Sequence, residues 1–405
     1  MEDDINMIKP AIVAVGYNRT YEMRRLLESI ENAKYKDSDI TLIISIDESN
    51  KSDEIEKIAK NIKWTHGKKY IRRFSRRQGL QKHIIQCGDY SEKYGAVIIL
   101  EDDLVVGDDF YIYACEAHKK YSTDDRICGV SLYSHQVNQF SHLEFTPIQS
   151  GFDAYLGDMV VTWGQSWTFE QWRKFKNWYF QNENQLPAVN NRIPRDISNW
   201  TRSWGRYFAT YIVENNLSYI YPYVSRTTCF ADYGEHNKSK TPVTFVQVPL
   251  MNGCPNSYRF GKYDELVHYD AFYEHVLSYD NLICNIHGSD ICMDLNQLKS
   301  ITLGKKYLIT GEKLNYTKIA SFGLSLRPIS MNVLKNLPGN QLYLYKVDNG
   351  GFIRKWGKKR NELKLNLRRL KYEYKDAAWQ ILLYYAPREF IIRLKDKILE
   401  KLKRK

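Results

Sequence analysis

Nowhere in these 405 residues do enough apolar side chains follow one another to span a bilayer, which takes about 20. The N-terminus, Met1-Glu2-Asp3-Asp4, is acidic where a secretory leader is basic and then apolar. Both absences predict a protein that stays in the compartment where it is made. The seven cysteines form no CxxC pair and no Cys/His metal spacing. An odd, scattered set suits a reducing cytoplasm, with most of the cysteines serving as small core residues. Internal repeats and low-complexity tracts are also missing. Excess charge is absent from most of the chain: residues 1–350 hold 41 basic and 41 acidic side chains. The whole net charge of +12 falls on residues 351–405, where 18 Lys/Arg face 6 Asp/Glu. A neutral body argues against nucleic acid as a partner, which calls for a basic folded surface.

What the sequence does have is a regular alternation over its first 135 residues. Ala11–Val15, Thr41–Ile46, Tyr70–Phe74, Ala96–Leu100 and Ile127–Leu132 read as strands. Between them, apolar residues recur at helical spacing: Met23, Leu26, Leu27 and Ile30, then Ile55, Ile58 and Ile62, then a stretch over Leu80–Tyr94, then Phe110, Tyr113, Ala117 and Tyr121. This pattern predicts an α/β fold with a mostly parallel central sheet and flanking helices. Residues 150–262 are less regular and rich in Trp, Tyr and Asn, as for a substrate-facing layer. We read 1–262 as a catalytic domain, 263–350 as a small added module, and 351–405 as a basic helical tail.

In a parallel sheet, ligands sit at the carboxyl ends of the strands. Tyr17-Asn18-Arg19, Asp47-Glu48 and Glu101-Asp102-Asp103 each come directly after an apolar strand. Adjacent carboxylates at a strand end suit a hard divalent cation, Mn2+ or Mg2+, which takes oxygen ligands and shares them with a diphosphate. The bland reading of an acidic triplet is a solvated turn capping the next helix near Asp108-Asp109. Directly after a buried strand the metal reading is the stronger. Asp47 suits a hydrogen bond to a base edge, or an Asx turn; Arg19 suits phosphate, or a surface charge. His83, in Gly79-Leu-Gln-Lys-His83, is a lone histidine of the kind that more often serves structure.

Taken together, these segments resemble the inverting A-type glycosyltransferases, in particular the family 2 bacterial enzymes and the family 13 N-acetylglucosaminyltransferases. The likeness rests on Ile12-Val-Ala-Val-Gly-Tyr-Asn-Arg19, Ile44-Ser-Ile-Asp47, Gly79–His83 and Val97-Ile-Ile-Leu-Glu-Asp-Asp103. It continues through Cys128–Ser131, Thr162-Trp-Gly-Gln-Ser-Trp167 and Tyr221-Pro-Tyr-Val-Ser-Arg-Thr227, in the family's order. It implies an A-type (nucleotide-diphospho-sugar transferase) fold and a sugar nucleotide donor, UDP-linked. It further implies metal at Asp103, donor contacts at Glu101 and Asp102, uracil at Asp47, and further nucleotide contacts at Arg19 and His83. Trp163 to Trp167 would line the sugar and acceptor side. His236 falls where relatives carry a mobile loop over the donor, and becomes a candidate metal or diphosphate contact. One departure matters: in Ile197-Ser-Asn-Trp-Thr-Arg202 the position of the family's catalytic base is Asn199, which cannot take a proton at neutral pH. Asp196 is the nearest carboxylate and the candidate base.

In the tail, Trp356, Leu363, Leu367, Leu370 and Tyr374 share one helical face, as do Ile391, Leu394, Ile398 and Leu402 after Pro387. A basic amphipathic segment suits an anionic membrane surface, against the alternative of a helix packed on the core. The combined expectation is a cytoplasmic enzyme, peripheral on the inner face of the cell membrane. It would pass a sugar to a glycan or lipid-linked acceptor in bacterial surface polysaccharide synthesis. Two other readings compete: a non-enzymatic membrane-binding protein acting through its tail, and a sugar nucleotidyltransferase. The second resembles a glycine-rich loop after the first strand, where this chain has Gly16 alone.

Overall fold

The computed structural model describes residues 8–188, 190–201, 203–230, 246–347, 352 and 353, and then 383, 387, 388, 390, 391, 394, 395 and 398. The chain divides into two compact units, one of residues 1–140 with 144–353, the other of 141–143 with 354–405. The predicted helical face over Trp356–Tyr374 lies outside the described residues. Among those described, no helix is long and apolar enough to cross a membrane.

The larger unit begins as the apolar runs predict. β1 (Ala11–Gly16), α1 (Thr20–Asn32), β2 (Leu42–Ile46), α2 (Ser52–Asn61) and β3 (Lys69–Arg73) alternate. Every residue of β1 and β2 is buried, as in a sheet covered on both faces. α1 buries Met23, Leu26, Leu27 and Ile30 along one stripe, and α2 buries Ile55, Ile58 and Ala59. β3 carries Lys69, Arg72 and Arg73 and forms the sheet's edge, where charge discourages further pairing.

The stretch predicted as one helix over Leu80–Tyr94 is two, α3 (Leu80–Gly88) and α4 (Tyr90–Tyr94). Near the break the Trp172 ring lies against Gly88, so closely that a Cβ there would collide with it. β4 (Ala96–Glu101), β5 (Leu104–Val106), α5 (Phe110–Tyr121) and β6 (Ile127–Ser131) come next. The irregular region then supplies much of the rest: β7 (Ala154–Gly157), β8 (Gln165–Thr168), α6 (Phe169–Asn182), α7 (Trp204–Glu214), β9 (Ser218–Pro222) and β10 (Thr227–Cys229). With β11 (His268–Tyr269), the central sheet has nine strands among the described residues, in the order β11-β7-β9-β6-β8-β4-β1-β2-β3. Five of its eight pairings are parallel, so the predicted α/β architecture with a mostly parallel sheet is the one present. β5 and β10 form a separate antiparallel ribbon.

Past β11 come the hairpin β12 (Leu282–Ile283) and β13 (Ile286–His287), then β14 (Ile291–Asp294), β15 (Tyr307–Thr310), β16 (Thr317–Phe322), α8 (Ser330–Leu334) and β17 (Leu342–Lys346). The last four strands pair in the order β14-β15-β17-β16 around a core that includes Met293, Ile309, Phe322, Val333 and Leu344. A buried polar junction ties the loop after β11 to the end of β14. Lys299 Nζ pairs with Asp270 at 2.5 Å, and the Asn296 N–H donates to Glu274 at 2.6 Å. The N–H groups of Leu298 and Lys299 both donate to Asp294.

Burial, with the nearby Asp294 charge, pushes the Glu274 carboxyl up to about 8, although Lys299 pulls it the other way. In the unfolded chain a glutamate titrates near 4.3, so between that pH and about 8 the native state holds a proton that the unfolded state has lost. This contribution is fully present at low pH and declines as pH rises through the window. Glu274→Gln keeps the oxygen that accepts from Asn296 and removes the titration. Thermal melts at pH 5 and pH 8 should therefore show a smaller loss of Tm in the variant than in the parent.

Candidate functional site

The chain leaves β1 toward β2 and β3, then returns to lay β4 on the other side of β1. That reversal is a topological switch point, and the carboxyl ends of the two strands diverge into a crevice. The register pairs Val15 with Glu101, so the turns leaving β1 and β4 emerge side by side. A cleft of about 1370 Å³ opens there. Arg19, Asp47, His83, Glu101, Asp102, Asp103 and Asn199 all line it.

Charge dominates the switch point. The Arg19 guanidinium, placed by the turn between β1 and α1, pairs with Asp102 and reaches Asp103 Oδ2 at 3.4 Å. Asp102 is buried, at 4% exposure, directly after β4, whose first five residues are all buried. Burial, together with the Asp103 charge, pushes the Asp102 carboxyl up to about 7, against the pull of Arg19. Burial and the two neighbouring aspartates push Glu101 well above the usual carboxylate range. Burial alone would lower the Arg19 pKa, and the Asp102 and Asp103 carboxylates more than reverse this. The turn is not the solvated helix cap of the bland reading. The cap position of α5, Asp109, makes no capping bond and instead pairs with the buried Arg226 at 3.2 Å.

Asp47 has a structural task that the sequence did not suggest. Its Oδ1 accepts the N–H groups of Gln78 and Glu48, at 2.7 and 2.9 Å, and its Oδ2 accepts that of Gly79 at 2.9 Å. The carboxylate thereby pins the loop that starts α3. Gly79 turns that loop at φ +80°, a left-handed conformation open to glycine. Each carboxylate oxygen can accept two bonds, so Oδ2 keeps one direction for a ligand. His83 is 2% exposed, bonded through Nε2 to Ser45 at 2.7 Å, and packed edge-on against Phe74. Burial lowers its pKa to about 4, so it is a neutral ring in the cleft wall at neutral pH.

The opposite wall comes from the ends of α6 and α7. Asn199 lines the cleft, whereas Asp196 is exposed and does not. In the turn Arg195–Asn199 it is Ile197 that points inward. Trp163 lines the cleft, but Trp167 does not: it is fully buried among Trp172, Trp204 and Phe208. Trp163 lies in the turn before β8, whereas Trp167, inside β8, packs into the layer formed by α6 and α7. His236 lies outside the described residues. Several lining residues escaped sequence reasoning: Arg77, Lys82, Glu183 and Trp200. The basic cluster Arg72-Arg73 and Arg76-Arg77 was a signal for the first, whose guanidinium lies 4.7 Å from the Tyr17 ring centre. Glu183 sits just past the end of α6 with no motif around it.

Among the described residues, no group of three or more His, Cys, Asp or Glu is arranged to hold a metal ion. The donor set is instead two or three carboxylates on one side of an open cleft. That suits an ion which takes one or two carboxylates from protein and the rest of its ligands from phosphate and water. A resident structural metal would need more.

No family model and no curated protein matches the sequence. Among solved structures, the chain is similar to GalNAc-T7 with UDP, GalNAc and Mn2+, at 15% identity and TM-score 0.39, over 56% of this chain and 44% of that one. It is similar to the mannosyltransferase PcManGT of Pyrobaculum calidifontis with GDP-Man and Mn2+, at 11% and 0.33, over 53% and 55%. It is also similar to S. aureus TarS with UDP-GlcNAc, at 12% and 0.36, over 57% and 61%. The chain thus spans about half the length of the solved structures it matches.

Replacing Asp47 by Asn would put an amide donor against a backbone donor, either at Gly79 or at the Gln78 and Glu48 pair. Leaving such a buried group unsatisfied costs about 1–3 kcal/mol. Urea unfolding of Asp47→Asn should show a stability loss of that order even without ligand, with m unchanged.

Proposed function

We propose that this protein is a glycosyltransferase, moving a sugar from a UDP-linked donor to an acceptor hydroxyl by single displacement with inversion. The observation that carries the reading is the acidic triad at the switch point, set at the end of a buried strand and faced by Arg19. A nucleoside diphosphate brings negative charge that Arg19, Arg77 and Lys82 can meet. Mn2+ or Mg2+ bound with it would be held by Asp103, with Asp102 beside it, and would supply charge neutralisation at the departing diphosphate. Glu101 and Asp102 suit hydrogen bonds to donor hydroxyls, the more so because burial raises both carboxyls, that of Asp102 to about 7. Asp47 presents its remaining acceptor direction to the edge of the base.

The cleft exceeds the roughly 300–1000 Å³ of a typical small-molecule pocket, which leaves room for an acceptor beside the donor. We assign the acceptor to the wall of Trp163, Phe180, Glu183, Asn199 and Trp200, whose aromatic faces suit the apolar faces of sugar rings. Glu183 is a carboxylate beside that wall's Phe180, and unlike Asp89 it is not tied to Trp172 and Lys176, which makes it the better candidate for the base that takes the acceptor proton. Asn199 can orient the same hydroxyl by hydrogen bonding but cannot accept its proton. A glycan or lipid-linked acceptor of bacterial surface polysaccharide is the substrate class this reading favours. The nucleotidyltransferase alternative loses ground at Gly16, which sits in the sheet with the Met23 methyl occupying the place a Cβ would take. It is a packing glycine rather than part of a phosphate loop.

UDP with Mn2+ should raise the melting temperature, and Asp103→Ala should abolish that rise while leaving the unliganded Tm little changed. A mutant that responds to UDP and Mn2+ as the parent does would remove Asp103 from the site. Glu183→Gln should cut turnover by about 10²–10⁴ with donor binding intact, because a general base acts only on the acceptor proton. Asp196→Asn, outside the cleft, should stay near full turnover; the opposite ranking would return the base to Asp196.

A further inference from the structure

The C-terminal segment carries a surface that sugar transfer does not use. Among its described residues, Pro387, Arg388, Phe390, Ile391, Leu394, Lys395 and Ile398 are helical. At 3.6 residues per turn, Phe390, Ile391, Leu394 and Ile398 fall within an arc of about 100°. These four side chains are between 50% and 67% exposed. An ordinary surface helix turns such a stripe toward the protein core. Here the stripe is open, so it marks an interaction site.

The chemistry of the missing occupant can be read from the charge. Residues 351–405 hold 18 Lys/Arg against 6 Asp/Glu, while the rest of the chain is balanced. On the helix, Arg388 and Lys395 project about 40–60° beyond one edge of the apolar arc, by the same periodicity. The occupant must therefore offer an apolar layer deep enough for Phe, Ile and Leu side chains, bordered by negative charge. A nucleic acid duplex offers the charge without the layer. A bilayer interface with anionic headgroups offers both at the same depth, with the stripe in the acyl boundary and the cations at the phosphates. We infer that the C-terminal segment docks this protein on an anionic lipid surface, with Phe390, Ile391, Leu394 and Ile398 inserted and the Lys/Arg excess held at the headgroups.

The inference does not depend on the proposed transferase activity, and its test uses no sugar nucleotide. The full chain is mixed with vesicles of phosphatidylcholine alone, or of equimolar phosphatidylcholine and phosphatidylglycerol, and sedimented. Binding is expected to the anionic vesicles and to be at least about tenfold weaker to the neutral ones. It should decline as salt shortens the Debye length from ~30 Å toward ~3 Å. The double variant Leu394→Ser/Ile398→Ser should lose at least about tenfold in affinity for anionic vesicles while its melting temperature stays at the parent value. Equal binding to both vesicle types, or full binding by the double variant, would overturn the proposal. So would a drop in the variant's Tm, which would mean the stripe is packed on protein. Tighter binding of a DNA duplex than of the anionic vesicles would likewise overturn it.

Discussion

Three carboxylates in a row at the end of a buried strand are the constraint on which the site depends. Glu101, Asp102 and Asp103 leave β4 where every preceding residue of that strand is inaccessible to water. With Asp102 buried and Glu101 and Asp103 only partly exposed, solvent screens three adjacent negative charges poorly. The molecule answers in two ways at once: burial shifts Glu101 and Asp102 toward their protonated forms, and Arg19 lays its guanidinium across Asp102 and Asp103. A site built this way is poised for exchange of one cation for another. In the proposed reaction, a divalent ion arriving with a diphosphate offers Asp103 a better partner and offers Arg19 a phosphate.

The constraint is met only because the strand order brings β1 and β4 together. Those strands were legible in the sequence, as was β2, because burial on both faces forces an unbroken apolar run; α1 and α2 were legible from their apolar stripes. In the other half of the sheet β6 was legible too, but its neighbours were not. β7, β8 and β9 read Ala-Tyr-Leu-Gly, Gln-Ser-Trp-Thr and Ser-Tyr-Ile-Tyr-Pro, and every one of these residues is buried. Some of their polar groups are hydrogen-bonded, Ser166 to the Val97 carbonyl and to His118 and Tyr221 to the Met159 carbonyl, while the Gln165 amide and the Tyr155 and Tyr219 hydroxyls are buried without a hydrogen bond among the described residues. Such strands have neither an apolar run nor an alternation for periodicity to detect.

Legibility of the site obeyed the same rule. Arg19, Asp47 and the acidic triad come directly after apolar strands, so their position at the carboxyl edge could be read and all of them line the cleft. What could not be read was their bonding: Asp47 holds a loop 31 and 32 residues away, and His83 is spent on Ser45. Glu183 and Trp200 sit at helix ends and turns, where nothing in the spacing fixes direction. Asp196 was chosen by nearness in sequence to Asn199, but three residues within one tight turn change the direction of a side chain more than its position.

The far wall of the cleft owes its placement to aromatic packing rather than to charge. Trp167, Trp172, Phe175, Trp204 and Phe208 interlock with ring centres 4.4 to 5.9 Å apart and clamp α6 to α7 and to β8. Arg206, almost wholly buried, adds polar ties from α7 to the carbonyls of Pro187 and Ser198. Pro187 and Ser198, the two residues so held, lie close in the chain to Glu183, Asn199 and Trp200. The cleft thus joins a charged wall fixed by strand register to an aromatic wall fixed by close packing. The region that looked irregular in sequence is irregular because its residues serve a core and a surface within a few positions of each other. A simple hydrophobic period cannot encode both.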